Sequence, residues 1–247
     1  MKDQVSPQEW QARVELAAAY RLIAHFGWDD LIFTHISMRV PGTEDQFLIN
    51  PYGMMFHEIT ASSLIRVDQQ CNKLHHSDYP VNPAGFTIHS CIHEARANAH
   101  CIIHTHTANG VAVSACKHGL LPISQQAVVV HSGLSYHDYE GIALNPEEKQ
   151  RLVADLQDNN FLILRNHGLL TTGATVADAF LFMYALESAC AIQARTNQDP
   201  AQLIHVPQAI IDGIEGQTQA VTKGLGGALA WPALLRLLDA NNPGYDS

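Results

Sequence analysis

Apolar residues recur along this chain at two periods, and the switches between them outline its elements. Trp10, Val14, Ala17, Ala18 and Leu22 share one face of a helical segment that opens at Ser6-Pro7 with Glu9 and closes at Gly27. Ser as a cap, Pro in the first turn and Gly past the end are the residues that helix termini select. Extended segments follow at residues 31–40 and at Phe47-Leu48-Ile49, joined by Pro41-Gly42-Thr43-Glu44-Asp45, which reads as a hairpin turn. Asn50-Pro51-Tyr52-Gly53 breaks the second strand, Thr60-Ala61-Ser62-Ser63 reads as the cap of a short helix before Leu64-Ile65-Arg66-Val67, and residues 71–79 read as exposed.

From Pro83 to about Asn98 the apolar positions Phe86, Ile88, Ile92 and Ala95 predict a helix that leads directly into a strand, Cys101-Ile102-Ile103. Residues 108–117 form another expected helix, ended by Gly119, and Ala127 to Val130 reads as a strand. Asn145-Pro146-Glu147-Glu148 starts a helix with Pro in its first turn and acids where the dipole favours them. Phe161 to Arg165 is a strand, a second runs from Gly168 to the turn Thr172-Gly173-Ala174, and Thr175 caps a long apolar helix over residues 176–195. Helices alternating with strands and hairpins imply a mixed, largely antiparallel sheet packed between helical layers. No linker divides residues 1–247, so one domain is expected, with its core at about 10–198 and residues 199–247 as an irregular arm packing on a neighbouring subunit.

The chemistry concentrates in histidines. His104-Thr105-His106 ends the strand 101–103, and side chains two apart on a strand point to one face, so both imidazoles leave the sheet together. His167 ends the run Phe161-Leu162-Ile163-Leu164, and two such strands side by side would bring a third nitrogen to the first two. Three neutral imidazoles around an open coordination position suit a catalytic zinc or a similar divalent ion. A chance His-x-His is not rare among 15 histidines, but each candidate here ends a buried-looking strand, where the active sites of open sheets tend to lie.

Composition narrows the class. Charged residues make up 15% and hydrophobic ones 47%, against about 25% charged in typical domains, so self-association is expected. A formal charge of −10 without Lys/Arg clusters argues against nucleic acid or an anionic membrane as partner. No apolar stretch approaches the roughly 20 residues that span a bilayer, and Met1-Lys2-Asp3-Gln4 lacks a signal peptide's apolar core, which predicts a cytoplasmic protein. Cys71, Cys91, Cys101, Cys116 and Cys190, an odd number without CxxC spacing, suit reduced thiols.

Six segments carry a family resemblance: Thr34-His35-Ile36-Ser37-Met38-Arg39, Asn82-Pro83-Ala84-Gly85-Phe86-Thr87-Ile88-His89, His104-Thr105-His106-Thr107, Gly119-Leu120-Leu121-Pro122-Ile123-Ser124, Tyr136-His137-Asp138-Tyr139 and Leu162-Ile163-Leu164-Arg165-Asn166-His167-Gly168-Leu169. By these the chain resembles the class II aldolase/adducin family, nearer the adducin head than the sugar-phosphate aldolases. The resemblance implies a three-layer α/β/α sandwich, commonly a homotetramer, with His104, His106 and His167 where the family's zinc ligands stand; Fe, Mn or Co would also suit three histidines. In the family's aldolases the ion acts as a Lewis acid that stabilises an enediolate, and a glutamate moves the proton.

This chain departs from that pattern. With His89 matched to the family's histidine on the helix before the metal strand, the glutamate position falls on Gly85; Pro83 and Ala84 replace small hydroxyl residues of a phosphate cradle, and His35 replaces an asparagine. Gln126, or a residue near it, replaces a tyrosine used as an acid. General acid and base groups each contribute about 10² to 10⁴-fold, so the resemblance implies a lyase with a different proton-handling group. His89, one helical turn after Gly85, is the first candidate, against a reading as a buried structural histidine; Glu58, Tyr136, His137 and Asp138 follow, the last three also fitting an ordered loop. Arg165, Asn166, Ser62 and Ser63 are given no catalytic role, Ser62 and Ser63 being caps first. Two functions are expected: a metal-dependent lyase that cleaves or decarboxylates a small hydroxy or keto compound through a metal-stabilised enolate, or an adducin-like oligomeric scaffold without catalysis.

Overall fold

The computed structural model describes residues 1–141, 147–196 and 199–247, and of residues 83 and 84 only the backbone. Helix α1 (Pro7–His25) starts where expected, with Ser6 Oγ accepting the Glu9 amide at 3.1 Å. Strand β1 is shorter than expected, His35–Arg39, because Leu31 adopts a left-handed φ of 50° and residues 31–33 turn. Strands β2 (Gln46–Ile49) and β3 (Ile65–Asp68) follow. Residues 60–63 form a turn rather than a helix, closed by Thr60 and Ser63 bonding each other's amides.

Next come α2 (Pro83–Ala95), β4 (Cys101–Thr105), α3 (Ala108–Ser114), α4 (Gln125–His131), β5 (Leu134–His137) and α5 (Glu148–Leu156). The expected helix start at Asn145-Pro146 lies outside the described residues. The chain continues through β6 (Phe161–Leu164), β7 (Gly168–Gly173) and α6 (Val176–Ala194), then α7 (Gln208–Ile211), α8 (Ile214–Thr222) and α9 (Trp231–Asn241).

Residues 127–130, expected as a strand, belong to α4. Their β-branched run favours extended chain, but Ser124 Oγ caps the amide of Ala127, Ala127 and Val130 bury in the core shared with α6, and Val128 meets Ile211 and Ile214. The strand lies instead at β5, partly in a stretch expected as loop. The arm is helical rather than irregular, and it packs on its own chain: Trp231, Leu238 and Tyr245 join the main core, while Arg21 donates to the Pro243 carbonyl at 2.5 Å. Helix α6 is long and apolar enough to cross a bilayer, yet it carries Asp178 and Glu187 and is the central helix of one layer, packed on β7, α3 and α4.

Among the described residues the sheet has the order β3-β2-β1-β4-β7-β6-β5, antiparallel throughout except for the β5–β6 pair. Alternation along each strand sorts side chains between two cores. Cys101, Ile103, Phe161 and Ile163 face α1, α3, α4 and α6, whereas Ile102, Leu162, Leu164 and Leu170 face α2 and α5. The result is a three-layer α/β/α sandwich. Tyr20 fastens α1 to the sheet: its fully buried hydroxyl accepts the amides of Ile36 at 2.8 Å and Asn50 at 3.1 Å. Orphaning buried amides costs about 1–3 kcal/mol, so Tyr20→Phe should lose that much stability in urea unfolding while keeping its secondary structure.

Candidate metal centre

β4 delivers the first histidine. Its alternation sends Ile103 towards α6 and His104 to the opposite face, where His35 on β1 is its cross-strand partner. The chain then turns straight into α3, because Thr107 Oγ1 caps the Gly110 amide at 3.1 Å and donates to the Glu187 carboxylate, which also takes Asn109 Nδ2 at 2.8 Å. Burial pushes the Glu187 carboxyl above its ordinary range, and those two bonds partly oppose the shift. His106 is thereby pinned between a strand end and a capped helix.

His167 arrives by a different route from the one expected. β4 and β6 are not neighbours; β7 lies between them, and His167 sits in the tight β6–β7 turn. That turn needs Asn166 at a φ of 56°, and it lies close on β4 because residue 168 is glycine: a Cβ there would strike the Thr105 carbonyl and stand 3.1 Å from His106 Cδ2.

The three Nε2 atoms converge. His104 Nε2 is 2.9 Å from His106 Nε2, which is 3.0 Å from His167 Nε2. His104 Nδ1 donates to the Leu169 carbonyl at 2.9 Å and His106 Nδ1 to Asp30 Oδ2 at 3.0 Å, so their Nε2 lone pairs face inward. Burial, then the neighbouring imidazoles, holds His104 well below its ordinary pKa and His167 at about 4. Neutral imidazoles crowded lone pair to lone pair are the donor set a divalent cation takes, and about 2.0–2.1 Å metal–nitrogen bonds fit that spacing. Bonding of the far nitrogen to a carboxylate or carbonyl is the usual support of such ligands. Asp30 was not foreseen; it precedes the turn at Leu31, 76 residues from His106, and no sequence motif marks it.

The imidazoles open into a cavity of about 410 Å³. Phe33, Tyr52 and Tyr139 supply aromatic wall, the start of α2 supplies Asn82, Gly85 and Ile88, and His35 closes one side. Among the described residues, none that lines it is Lys, Arg, Asp or Glu. His89 is not in that lining: it is fully buried, bonded through Nδ1 to Ser37 Oγ, with His35 packed against it. Glu58 caps the Met55 amide, Tyr136 accepts the Leu120 amide, and His137 is buried with Nδ1 on Asp155 at 2.7 Å. Asp138 and Gln126 are exposed, and Ser63 closes the turn at Thr60. Arg165 donates to the Cys116 carbonyl and covers the Tyr136 ring.

The fold is a three-layer α/β/α sandwich, and an imidazole trio with the donor set that suits a divalent ion gathers at the end of its central strand. The sequence profile of the class II aldolase and adducin N-terminal domain matches residues 14–194, and the chain belongs to that family. It is 61% identical, over 98% of its length and 94% of the relative's, to a Pseudomonas aeruginosa protein whose name places it with the class 2 aldolases. It is 47% identical to rat alpha-adducin over 187 residues, 74% of this chain and 25% of the adducin. Among solved structures, an aldolase II superfamily protein from Pseudomonas syringae superposes with a TM-score of 0.93 at 47% identity, covering 100% of this chain and 99% of that one. The L-fuculose 1-phosphate aldolase of Glaciozyma antarctica gives 0.79 at 27% identity, covering 95% and 92%.

A cation held by the three imidazoles would draw on Asp30 through the His106 ring. Asp30→Asn should weaken zinc binding about 10–100-fold, measured by competition with a chromophoric chelator, with apo-protein melting unchanged. A second outcome concerns acid. Burial lowers His35 and His93 to about 3 and depresses His89 as well, while the unfolded chain protonates each near about 6.5. The unfolded state therefore takes up protons that the fold refuses, so stability is full above about pH 6.5 and falls as pH drops towards 3, by up to about 1.4 kcal/mol per pH unit for each histidine. Urea midpoints should be lower at pH 5 than at pH 7, and His93→Gln should flatten that slope.

Proposed function

We propose that this chain is a divalent-metal-dependent lyase of the class II aldolase type, which breaks a carbon–carbon bond in a small hydroxy or keto compound by retro-aldol cleavage or decarboxylation. The observation that carries this reading is the convergence of three Nε2 atoms at an open cavity. His104, His106 and His167 would hold the ion, with zinc preferred and Fe, Mn or Co suited to the same donors. When bound, such an ion supplies Lewis-acid polarisation of substrate oxygens.

The chain's own residues decide the rest. The Leu169 carbonyl and Asp30 orient the rings, and the aromatic wall excludes water from one side of the bound molecule. Among the described residues the lining offers no cation to a phosphate and no carboxylate to a proton, which favours an unphosphorylated substrate whose proton is handled by an imidazole or a phenol. The kinship with L-fuculose 1-phosphate aldolase supports the reaction type, and the lack of charged side chains among the described lining residues argues for a different substrate.

The similarity to alpha-adducin, together with the lack of a carboxylate among the described lining residues, supports a second reading as a non-catalytic oligomeric scaffold. Zinc-loaded protein screened on hydroxy and keto acids for release of pyruvate, aldehyde or carbon dioxide separates the two. Turnover that falls at least about 10³-fold in His104→Ala/His106→Ala, in step with lost metal, is the expected result, since the ion's charge stabilisation amounts to several kcal/mol. No turnover from a normally assembled, zinc-loaded homotetramer would favour the scaffold.

A further inference from the structure

A second cavity, of about 440 Å³, shares no lining residue with the one at the imidazoles. Glu9 and Arg13 of α1, Gln46 of β2 and Arg66 of β3 line it, together with Gln4 and His75. Its volume falls within the roughly 300–1,000 Å³ of small-molecule sites.

The charges in its wall do not cancel. Glu9 is 3% exposed and lies between two guanidiniums: Oε1 accepts from Arg13 Nε and Nη2, each at 2.9 Å, and Oε2 from Arg66 Nη1 at 2.7 Å. Arg13, itself buried, gives Nη1 to the Leu64 carbonyl at 2.8 Å and to that of Ala61. A guanidinium keeps its charge in a protein, so one carboxylate serves two permanent cations. Among the described residues Glu9 is the carboxylate whose charge reaches Arg13 and His75. Burial and then the Arg13 charge hold the His75 imidazole below its ordinary pKa, with Glu9 opposing the shift and Arg66 adding to it, as a site of net positive field does. Buried charge is ordinarily paired, and this cluster is one negative charge short.

Arg66 is the cation that remains open to the cavity. It is 28% exposed, and two of its three nitrogens are held: Nε donates to Gln46 Oε1 at 2.6 Å and Nη1 to Glu9. Nη2 has no partner among the described residues. A guanidinium fixed in this way loses little freedom when a ligand arrives, and its planar fork matches the oxygens of a phosphate or a carboxylate.

We propose that this cavity binds a small molecule through an oxyanion, a phosphate group or a carboxylate, with Arg66 as the residue that contacts the anion and Glu9 and Arg13 as the groups that hold Arg66 in place. The chain as a whole carries a formal charge of −10 and repels anions, so binding depends on this local excess. The site stands independently of the metal centre.

Calorimetric titration with sodium phosphate and, separately, sodium malonate tests it, with sodium chloride of equal ionic strength as the reference. Saturable binding is expected, and the tighter of the two names the group. Arg66→Gln should raise that Kd about 10–100-fold, the loss of charge-assisted hydrogen bonds. Arg66→Lys, which keeps the charge without the fork, should recover part of the affinity. Gln4→Glu leaves the ion cluster intact and adds a negative charge to the lining, so it should weaken binding about fivefold even if the Arg66 variants fold poorly. No saturable binding of either anion, or affinity indifferent to both Arg66→Gln and Gln4→Glu, overturns the proposal. If neither anion binds and Arg66→Gln changes the assembly size in light scattering, the cavity belongs to a carboxylate of a second copy and the proposal falls.

Discussion

Everything at this site depends on holding three imidazole lone pairs at one point, an arrangement that neutral rings resist when left to themselves. The resistance is overcome by backbone. Antiparallel pairing of His104 with Leu170 and of Thr105 with Leu169 lays the β6–β7 turn alongside β4. The absence of a side chain at residue 168 lets the turn close onto Thr105 and His106. The Leu169 carbonyl that this pairing positions is also the acceptor that orients His104. Sheet register, turn geometry and ring orientation are therefore one constraint.

The helical layers serve the same end. Glu187 is a buried carboxylate in the middle of an apolar helix, where an unpaired one would be costly, and its two oxygens are used to fasten the first residues of α3 beside His106. On the other face, α2 brings His89 and His93 into contact with Ser37 of β1, so a sheet strand and the helix above it are joined by polar bonds rather than by apolar packing alone. The cavity lies where these two arrangements meet, with neutral groups on every described side.

How much of this was legible in the sequence varied with the range of the interaction. The pairing of His104 with His106 could be read from a period of two at the end of an apolar run, and the caps Ser6 and Thr175 mark their helices locally. The partner strand of β4 could not be read, because a hairpin inserts β7 between it and β6. Residues 127–130 carried a strand-like composition that a capping serine and contacts with α6 and the distant α7 override. Helical spacing placed His89 correctly on the face of Gly85, but only the fold shows that β1 sends His35 into the space between helix and cavity. Asp30 left no sequence signal, since its position depends on a single left-handed residue after it.

The scattering of the trio along the chain would govern when an ion could be captured. A one-residue slip of β4 would turn His104 to the other layer, and His167 follows His106 by 61 residues. A nascent polypeptide leaving the ribosome would have no complete donor set until its β6–β7 hairpin had emerged and docked. On the proposed reading, metal loading would report that the sheet has closed in register, and a misfolded or truncated chain would lack the complete donor set.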